Sequence, residues 1–155
     1  MKSTPIKALL IVLILFSVIS QGCKKDKTLP ETLPENPTLA QAKARWNASN
    51  ISSYTFKLKP TCFCGNVEWH QITVVNKAIT SIKNEKGQNI QFTDSNLRTV
   101  DGLFKYLQSS LAENPDQATI KYDQTYGFPT YINIDFKTRW ADDEMRYDIS
   151  DFVRK

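Results

Sequence analysis

The chain of 155 residues, of which 41% are hydrophobic, is long enough for one domain with a single modest core. The whole chain has a formal net charge of +4. Removal of residues 1–22 as a leader takes away Lys2 and Lys7 and no acidic residue, so 18 basic and 16 acidic side chains remain. Since a nucleic-acid-binding domain carries a dominant and clustered basic set, this near balance argues against nucleic acid as a partner.

The first 22 residues are predicted to be a signal peptide. Two lysines precede an apolar run at residues 8–19, and small and polar residues follow it before Cys23. A charged, then apolar, then short polar region is typical of secretory leaders. A membrane-spanning helix needs about 20 apolar residues, so the run is too short for a permanent anchor.

The stretch ISQGC resembles the lipobox of bacterial lipoproteins, with Gly22 before the cleavage point and Cys23 as the modified residue. The resemblance implies that Cys23 carries a diacylglycerol and an acyl chain such as palmitate, which hold a protein on a membrane stably. We therefore expect a cell-envelope protein on the outer membrane, at its periplasmic or its surface face, with no other cofactor. Ordinary secretion is the alternative, because Ser20 stands where Leu or Val is usual.

Residues 23–37 are predicted to form the lipidated cysteine and an extended tether. The sequence after Cys23, KKDKTLPETLPENP, has three prolines and no aromatic residue. Such a segment cannot bury enough apolar surface to fold. Residues 38–155 are therefore predicted to form a single domain.

A helix and a strand are predicted at the start of this domain. Thr38 can cap a helix over LAQAKARWNA, which places Ala42 and Trp46 on one face. The following stretch, YTFKLKPTC, alternates apolar and polar residues from Tyr54 onward. A period of two is typical of a half-buried strand.

The middle of the domain is predicted to contain a hairpin, a turn and a short strand. VEWHQITVV and AITSI flank Asn76 and Lys77, and asparagine tolerates the positive φ of a tight turn. Residues 85–87 are predicted to form the next turn, and NIQF at residues 89–92 a further short strand.

The second half is predicted to contain one helix and three strands. Thr99 can cap the helix, whose apolar residues recur at helical spacing until Asn114 and Pro115 stop it. ATIKYD and TYINIDF then alternate around a loop containing YGFP, and RYDISDF supplies a last strand. The pattern predicts an α+β domain, an antiparallel sheet of five to six strands with one or two helices packed on one face.

Four stretches, taken in order, resemble a bacterial family of secreted and lipid-anchored proteins classed as a domain of unknown function. They are CFC, TVDGLFKYLQ, YDQTYGFPTYINID and ADDEMRYDISDF, and the family's Tyr-Gly-x-Pro and Ala-Asp-Asp-Glu motifs lie within them. The resemblance covers roughly residues 39–152. It implies a fold and a location, and it brings no established activity.

Cys62 and Cys64 have three interpretations. In a fully extended strand their Cα atoms would be about 6.6 Å apart, near the upper limit for a disulfide, so bonding requires a bend at Phe63. Pro60 and Gly65 bracket the segment, and an oxidising envelope favours a strained structural disulfide. Two buried thiols, or a functional redox or metal pair, are the alternatives.

We assign no metal site, and a three-ligand set of Cys62, Cys64 and His70 is the weaker alternative. Two thiolates and an imidazole could hold zinc or copper, but their spacing matches no standard zinc motif. His70 lies in an alternating strand, where a packed or surface histidine is the ordinary explanation.

An acidic group near the end of the chain is interpreted as a charged turn. Asp142, Asp143 and Glu144, with Asp135 and Asp148 nearby, could supply oxygen ligands for calcium. Their spacing lacks the Asp-x-Asp-x-Asp-Gly pattern of a calcium loop.

The sequence predicts a binding protein rather than an enzyme. It has one histidine, no Gly-x-Ser-x-Gly and no Gly-rich phosphate loop, so hydrolase and nucleotide chemistry find no support. Aromatic residues in loops can anchor a partner, and the candidates are Trp69, Tyr126, Phe128, Tyr131 and Trp140. We therefore expect a non-enzymatic binding or accessory module for an envelope protein or peptide. The alternative is a thiol-redox or metal-handling envelope factor that uses Cys62 and Cys64.

Overall fold

A computed structural model describes residues 33–63, 67–91 and 96–155. In chain order its helices and strands are α1 (Leu39–Ser49), β1 (Tyr54–Thr61), β2 (His70–Val75), β3 (Ala78–Lys83), α2 (Val100–Ala112), β4 (Gln117–Tyr122), β5 (Pro129–Asp135) and β6 (Met145–Arg154). No helix within these ranges is long and apolar enough to span a membrane.

The described strands form one open sheet with the order β3-β2-β1-β6-β5-β4, and all neighbouring strands are antiparallel. The two halves of the sheet are therefore β1–β3 and β4–β6, joined by pairing of β1 with β6. The α+β prediction, with an antiparallel sheet and two helices, is confirmed.

Both helices begin at the threonines that the sequence indicates. Thr38 forms a capping box, in which its hydroxyl accepts the N–H of Gln41 and the Gln41 side chain accepts the N–H of Thr38. Thr99 accepts the N–H of Gly102 over 3.0 Å and so caps α2. Satisfying these N–H groups fixes where each helix starts.

The β2–β3 hairpin turns at Asn76 and Lys77, as predicted. Both residues have positive φ, 50° and 66°, which is the pattern of a type I′ turn. The predicted strand at residues 89–92 is wrong in its described part, because only one β-bridge forms there, between Lys83 and Asn89. Phe92, the last residue of that stretch, lies outside the described residues.

The core lies between the helices and one face of the sheet. Along β1 the alternation predicted from the sequence is confirmed, since Tyr54, Phe56 and Leu58 are buried and Lys57 is exposed. The N–H of Val100 donates to the Tyr54 hydroxyl over 2.9 Å, which joins β1 to the first turn of α2. Burial raises the pKa of Tyr54 far above its ordinary value.

Trp46 of α1 belongs to an aromatic cluster. It is 3% exposed, and its ring makes edge contacts with Tyr54, Phe128 and Phe152 at centroid distances of 5.5, 6.4 and 6.0 Å. Its indole N–H donates to Asp101 of α2 over 3.0 Å. One side chain therefore connects both helices, the sheet and the β4–β5 loop.

The β4–β5 loop touches the backbone of α1 at a glycine. Gly127 has a φ of +82°, and a Cβ atom there would collide with the carbonyl oxygen of Ala42 and lie 2.9 Å from Cβ of Arg45. Only glycine allows both this conformation and this approach. The contact places the next residue, Phe128, in the core.

The described chain begins inside the segment predicted to be a tether. Leu33 is 7% exposed and belongs to the core cluster. Residues 35–37 then line a groove of about 440 Å³ beside Ile120 and Tyr122 of β4. The domain is thus joined to its N-terminal segment along the β4 edge of the sheet.

Candidate functional site

A cleft of about 610 Å³ opens on the face of the sheet opposite the helices. We call it the outer cleft, and its lining residues are Lys57, Trp69, Gln71, Asn84, Glu85, Gly87 and Ser150. They come from three adjacent strands, from the residue just before β2 and from the loop that follows β3.

Strand pairing sets the floor of the outer cleft. Lys57 of β1 lies opposite Gln71 of β2 on one side and opposite Ser150 of β6 on the other. Residues directly opposite one another in a sheet project from the same face, so these three polar side chains form a row. The helices leave this face uncovered.

A β-bulge in β6 shapes one side of the floor. The β1–β6 pairing passes from Lys57–Ser150 to Thr55–Val153, so Asp151 and Phe152 together oppose a single residue of β1. Asp151 has a φ of 51°. Such bulges redirect side chains and often border functional sites.

The bulge allows a charge pair beside the outer cleft. The carboxylate of Asp151 lies 2.7 Å from the ammonium of Lys57. Both side chains are about half exposed, so the pair adds little stability, but it places and balances the charge of Lys57.

The wall of the outer cleft is a loop stabilised by its own side chains. Asn84 Oδ1 accepts the N–H groups of Lys86 and Gln88 over 3.1 and 2.9 Å. Glu85 accepts the N–H of Trp69 over 2.9 Å, which ties the loop to the segment before β2. These bonds hold the wall and the half-buried Trp69 in place before a ligand arrives.

The lining can bind a ligand that presents both a flat apolar surface and polar groups. Trp69 supplies an aromatic ring, Gln71 an amide, Ser150 a hydroxyl and Glu85 a carboxylate. Pockets with an aromatic wall and a few placed polar groups are typical ligand sites.

A second group on the outer face surrounds Tyr131. The cationic ends of Lys121 and Arg146 lie 5.7 and 5.1 Å from its ring centroid. Arg146 also donates to Asp148 over 2.9 Å, and this hydrogen bond raises the pKa of Arg146. Asp148 is thereby part of this group rather than of the acidic turn.

The aromatic candidates divide into four environments, of which the group around Tyr131 is one. Phe128 is buried and Tyr126 packs on Phe152, so both belong to the core. Trp69 lines the outer cleft, whereas Trp140 is 60% exposed in the loop between β5 and β6.

The acidic turn between β5 and β6 contains Asp142, Asp143 and Glu144. Both carboxylate oxygens of Asp143 are buried without a hydrogen-bond partner among the described residues. Burial, together with Asp143 and Glu144, raises the pKa of Asp135. No arrangement of three acidic, cysteine or histidine side chains within the described ranges could hold a metal ion.

His70 lies in the core rather than on the surface. It is 1% exposed, faces Leu58 across the β1–β2 ladder, and has no hydrogen-bond partner on either ring nitrogen among the described residues. Its Nε2 is 3.8 Å from a Glu68 oxygen. Since Cys64 lies outside the described residues, the ligand set of Cys62, Cys64 and His70 stays a hypothesis.

Cys62 is disulfide-bonded, at the end of β1 and beside Phe63, whose side chain is 85% exposed. The other two cysteines, Cys23 and Cys64, lie outside the described residues. The Cys62–Cys64 pairing and the lipid on Cys23 therefore stay predictions.

Replacing Cys62 and Cys64 together with serine is expected to lower the free energy of unfolding by about 1 to 2 kcal/mol. The closed loop is tiny, so the disulfide constrains the unfolded chain little. Urea unfolding of the double variant measures this loss. Wild-type protein with its disulfide reduced is the control and should lose a similar amount of stability. A double variant that cannot fold contradicts the prediction, and mass spectrometry showing a Cys23–Cys62 bridge contradicts the pairing.

Sequence reasoning missed the outer cleft as a site. Alternation along the strands does indicate that Lys57 and Gln71 point away from the core. Their meeting with Ser150 depends on the register between β1 and β6, which no local pattern specifies.

Comparison with known proteins gives one family. The model of a family described as "Family of unknown function (DUF6174)" matches residues 38–154. Neither a curated protein nor a solved structure matches the chain significantly.

Proposed function

Because this chain belongs to the DUF6174 family, whose function is unknown, we propose its function from the outer cleft. The protein is a lipid-anchored, non-enzymatic binding module of the cell envelope that holds its ligand in this cleft. The observation that carries the proposal is a preformed cleft of about 610 Å³ on the sheet face that α1 and α2 leave open. Its volume lies within the range of about 300 to 1,000 Å³ that is usual for ligand sites.

The position of the outer cleft suits a module displayed on a tether. The N-terminal segment runs beside β4, whereas the cleft is lined by β2 and the residue before it, by β1 and β6, and by the loop after β3. A domain held at its β4 edge leaves the opposite half of the sheet accessible. Support for the envelope location comes from the leader, the ISQGC stretch and the Pro-rich residues after it.

Replacing Cys23 with serine is expected to abolish lipid attachment, because the thiol that carries the diacylglycerol is gone. Labelling of cells with radioactive palmitate should mark the wild type and leave Cys23→Ser unmarked, in an unprocessed or soluble form. A Cys64→Ser variant is the control and should keep the label. A labelled Cys23→Ser protein would exclude the lipoprotein assignment.

Filling the outer cleft is expected to abolish ligand binding. Ser150→Trp places a large side chain on the floor, and Thr119→Trp places the same side chain on the exposed outer surface of β4. Glycan, lipid and peptide fractions of the cell envelope are added to the purified full chain, and thermal shift is measured. At least one fraction should stabilise the wild type and Thr119→Trp but not Ser150→Trp. Equal responses of the two variants, or no response from any fraction, would contradict the proposal.

A thiol-redox role is the second candidate. The observation that favours it is the disulfide-bonded Cys62 beside the exposed Phe63, a position that a partner thiol could reach. Metal handling would first require reduction of this disulfide, because the thiolate is the metal ligand. Structural disulfides resist glutathione, with potentials below about −300 mV. Ready equilibration of the Cys62 disulfide with a glutathione buffer would favour the redox role over the binding module.

A further inference from the structure

We infer that the ligand of the outer cleft is a neutral saccharide, an inference that rests on the function proposed above. Three properties of the lining point to this class of ligand: an aromatic ring fixed at its backbone, polar groups matched to hydroxyls, and balanced charge.

The aromatic ring is that of Trp69. The backbone N–H of Trp69 donates to Glu85. This hydrogen bond fixes the position of Trp69 against the loop that forms the wall. Sugar rings present a face of C–H bonds that packs on an aromatic surface, and tryptophan offers the largest such surface. A half-buried ring lining a polar cleft provides this platform.

The polar groups of the lining both donate and accept hydrogen bonds. Gln71 carries an amide, Ser150 a hydroxyl, and Glu85 a carboxylate that uses one oxygen for the N–H of Trp69. A carboxylate has further acceptor sites, and each sugar hydroxyl is a donor and an acceptor. Hydroxyls of a saccharide can therefore pair with side chains of each of these three types.

Charge balance separates a neutral ligand from a charged one. The charged lining residues are Lys57 and Glu85, one of each sign. Lys57 is paired with Asp151 at 2.7 Å, so an anionic ligand would have to displace Asp151 and would also face Glu85. A cationic ligand would face Lys57. It would also face the exposed Lys83, which lies opposite Gln71 on the same face of the sheet and balances Glu85. Mismatched charges disfavour both classes, and a neutral ligand avoids the cost.

Isothermal calorimetry on the purified full chain tests the inference. The probes are maltohexaose, cellohexaose, laminarihexaose, xylohexaose, mannohexaose and chitohexaose, with polygalacturonate and heparin as acidic comparators. At least one neutral hexaose should bind, and Trp69→Ala should weaken that binding at least tenfold. Trp69→Phe keeps a ring and should retain part of the affinity. Trp140→Ala, an exposed tryptophan outside the cleft, should bind as the wild type does.

The remaining outcomes distinguish failure of the inference from failure of the proposed function. If only an acidic polymer or an envelope peptide binds, and Trp69→Ala or Ser150→Trp abolishes that binding, the cleft is the site and the neutral saccharide is wrong. If a hexaose binds Trp69→Ala and Ser150→Trp as tightly as the wild type, the cleft is not the site and both proposals fail. Absence of binding by all eight probes overturns the saccharide inference, and the envelope fractions then decide the proposed function.

Discussion

Replacing Gly127 with alanine is expected to lower the free energy of unfolding by about 2 to 4 kcal/mol. Two costs act together at this position. An alanine at a φ of +82° is strained, and its Cβ would overlap the carbonyl oxygen of Ala42 in α1. The loop could avoid the overlap only by moving away from α1, which would withdraw Phe128 from the core. Urea unfolding followed by far-ultraviolet circular dichroism measures the loss.

Gly87→Ala is the matched control for this prediction. Gly87 also has a positive φ, +76°, but nothing lies within 4 Å of a Cβ built there. Gly87→Ala therefore introduces the backbone strain without the overlap. It should lower the free energy of unfolding by only about 1 kcal/mol. Equal losses for Gly127→Ala and Gly87→Ala would show that the contact with α1 contributes nothing.

Replacing Trp46 with alanine is expected to lower the free energy of unfolding by about 3 to 5 kcal/mol. The substitution removes the side chain that contacts three aromatic rings and leaves Asp101 without its indole donor. Domains of this size have only about 5 to 15 kcal/mol of stability, so the variant should be close to unfolding at 37 °C. Thermal unfolding monitored by circular dichroism gives the shift.

Two further variants serve as controls for Trp46→Ala. Trp140→Ala removes an exposed tryptophan and should change the free energy of unfolding by no more than about 0.5 kcal/mol. Trp46→Phe keeps an aromatic ring but not the donor to Asp101, so it should fall between the wild type and Trp46→Ala. A loss below about 1 kcal/mol for Trp46→Ala would mean that the cluster can repack without it.

Local patterns predicted the elements of this fold well because each has a local physical cause. The threonine caps at Thr38 and Thr99 satisfy N–H groups within a few residues, so they are readable from the sequence alone. The same holds for the alternation from Tyr54, which follows from having the core on one side of the sheet.

Patterns failed where a distant partner decides the outcome. Leu111 has the right spacing for the apolar face of α2, yet Ser110 is the buried residue in that turn and Leu111 is only partly buried. Residues 89–91 alternate polar and apolar side chains as a strand would, but they form a single bridge at the β3 edge. In both segments, packing and position at the sheet edge determined the structure, rather than intrinsic propensity.

The outer cleft was out of reach of sequence reasoning for the same reason. Lys57 and Ser150 are far apart in the chain, and only the β1–β6 register brings them together. The bulge at Asp151 could not be predicted from a glycine, because an aspartate adopts the positive φ there. Residue types alone therefore could not show which polar side chains would share one surface.

The pairing of β1 with β6 also determines the order in which the chain can fold. Its partners, such as Thr61 and Arg146, are joined only after almost the whole domain has been supplied. Long-range pairings of this kind form slowly, because the intervening chain must be ordered first. While the chain is being synthesised, the β1–β3 half can form its hairpins but exposes the edge of β1. We expect this edge to be the segment of the sheet most open to aggregation until β6 arrives.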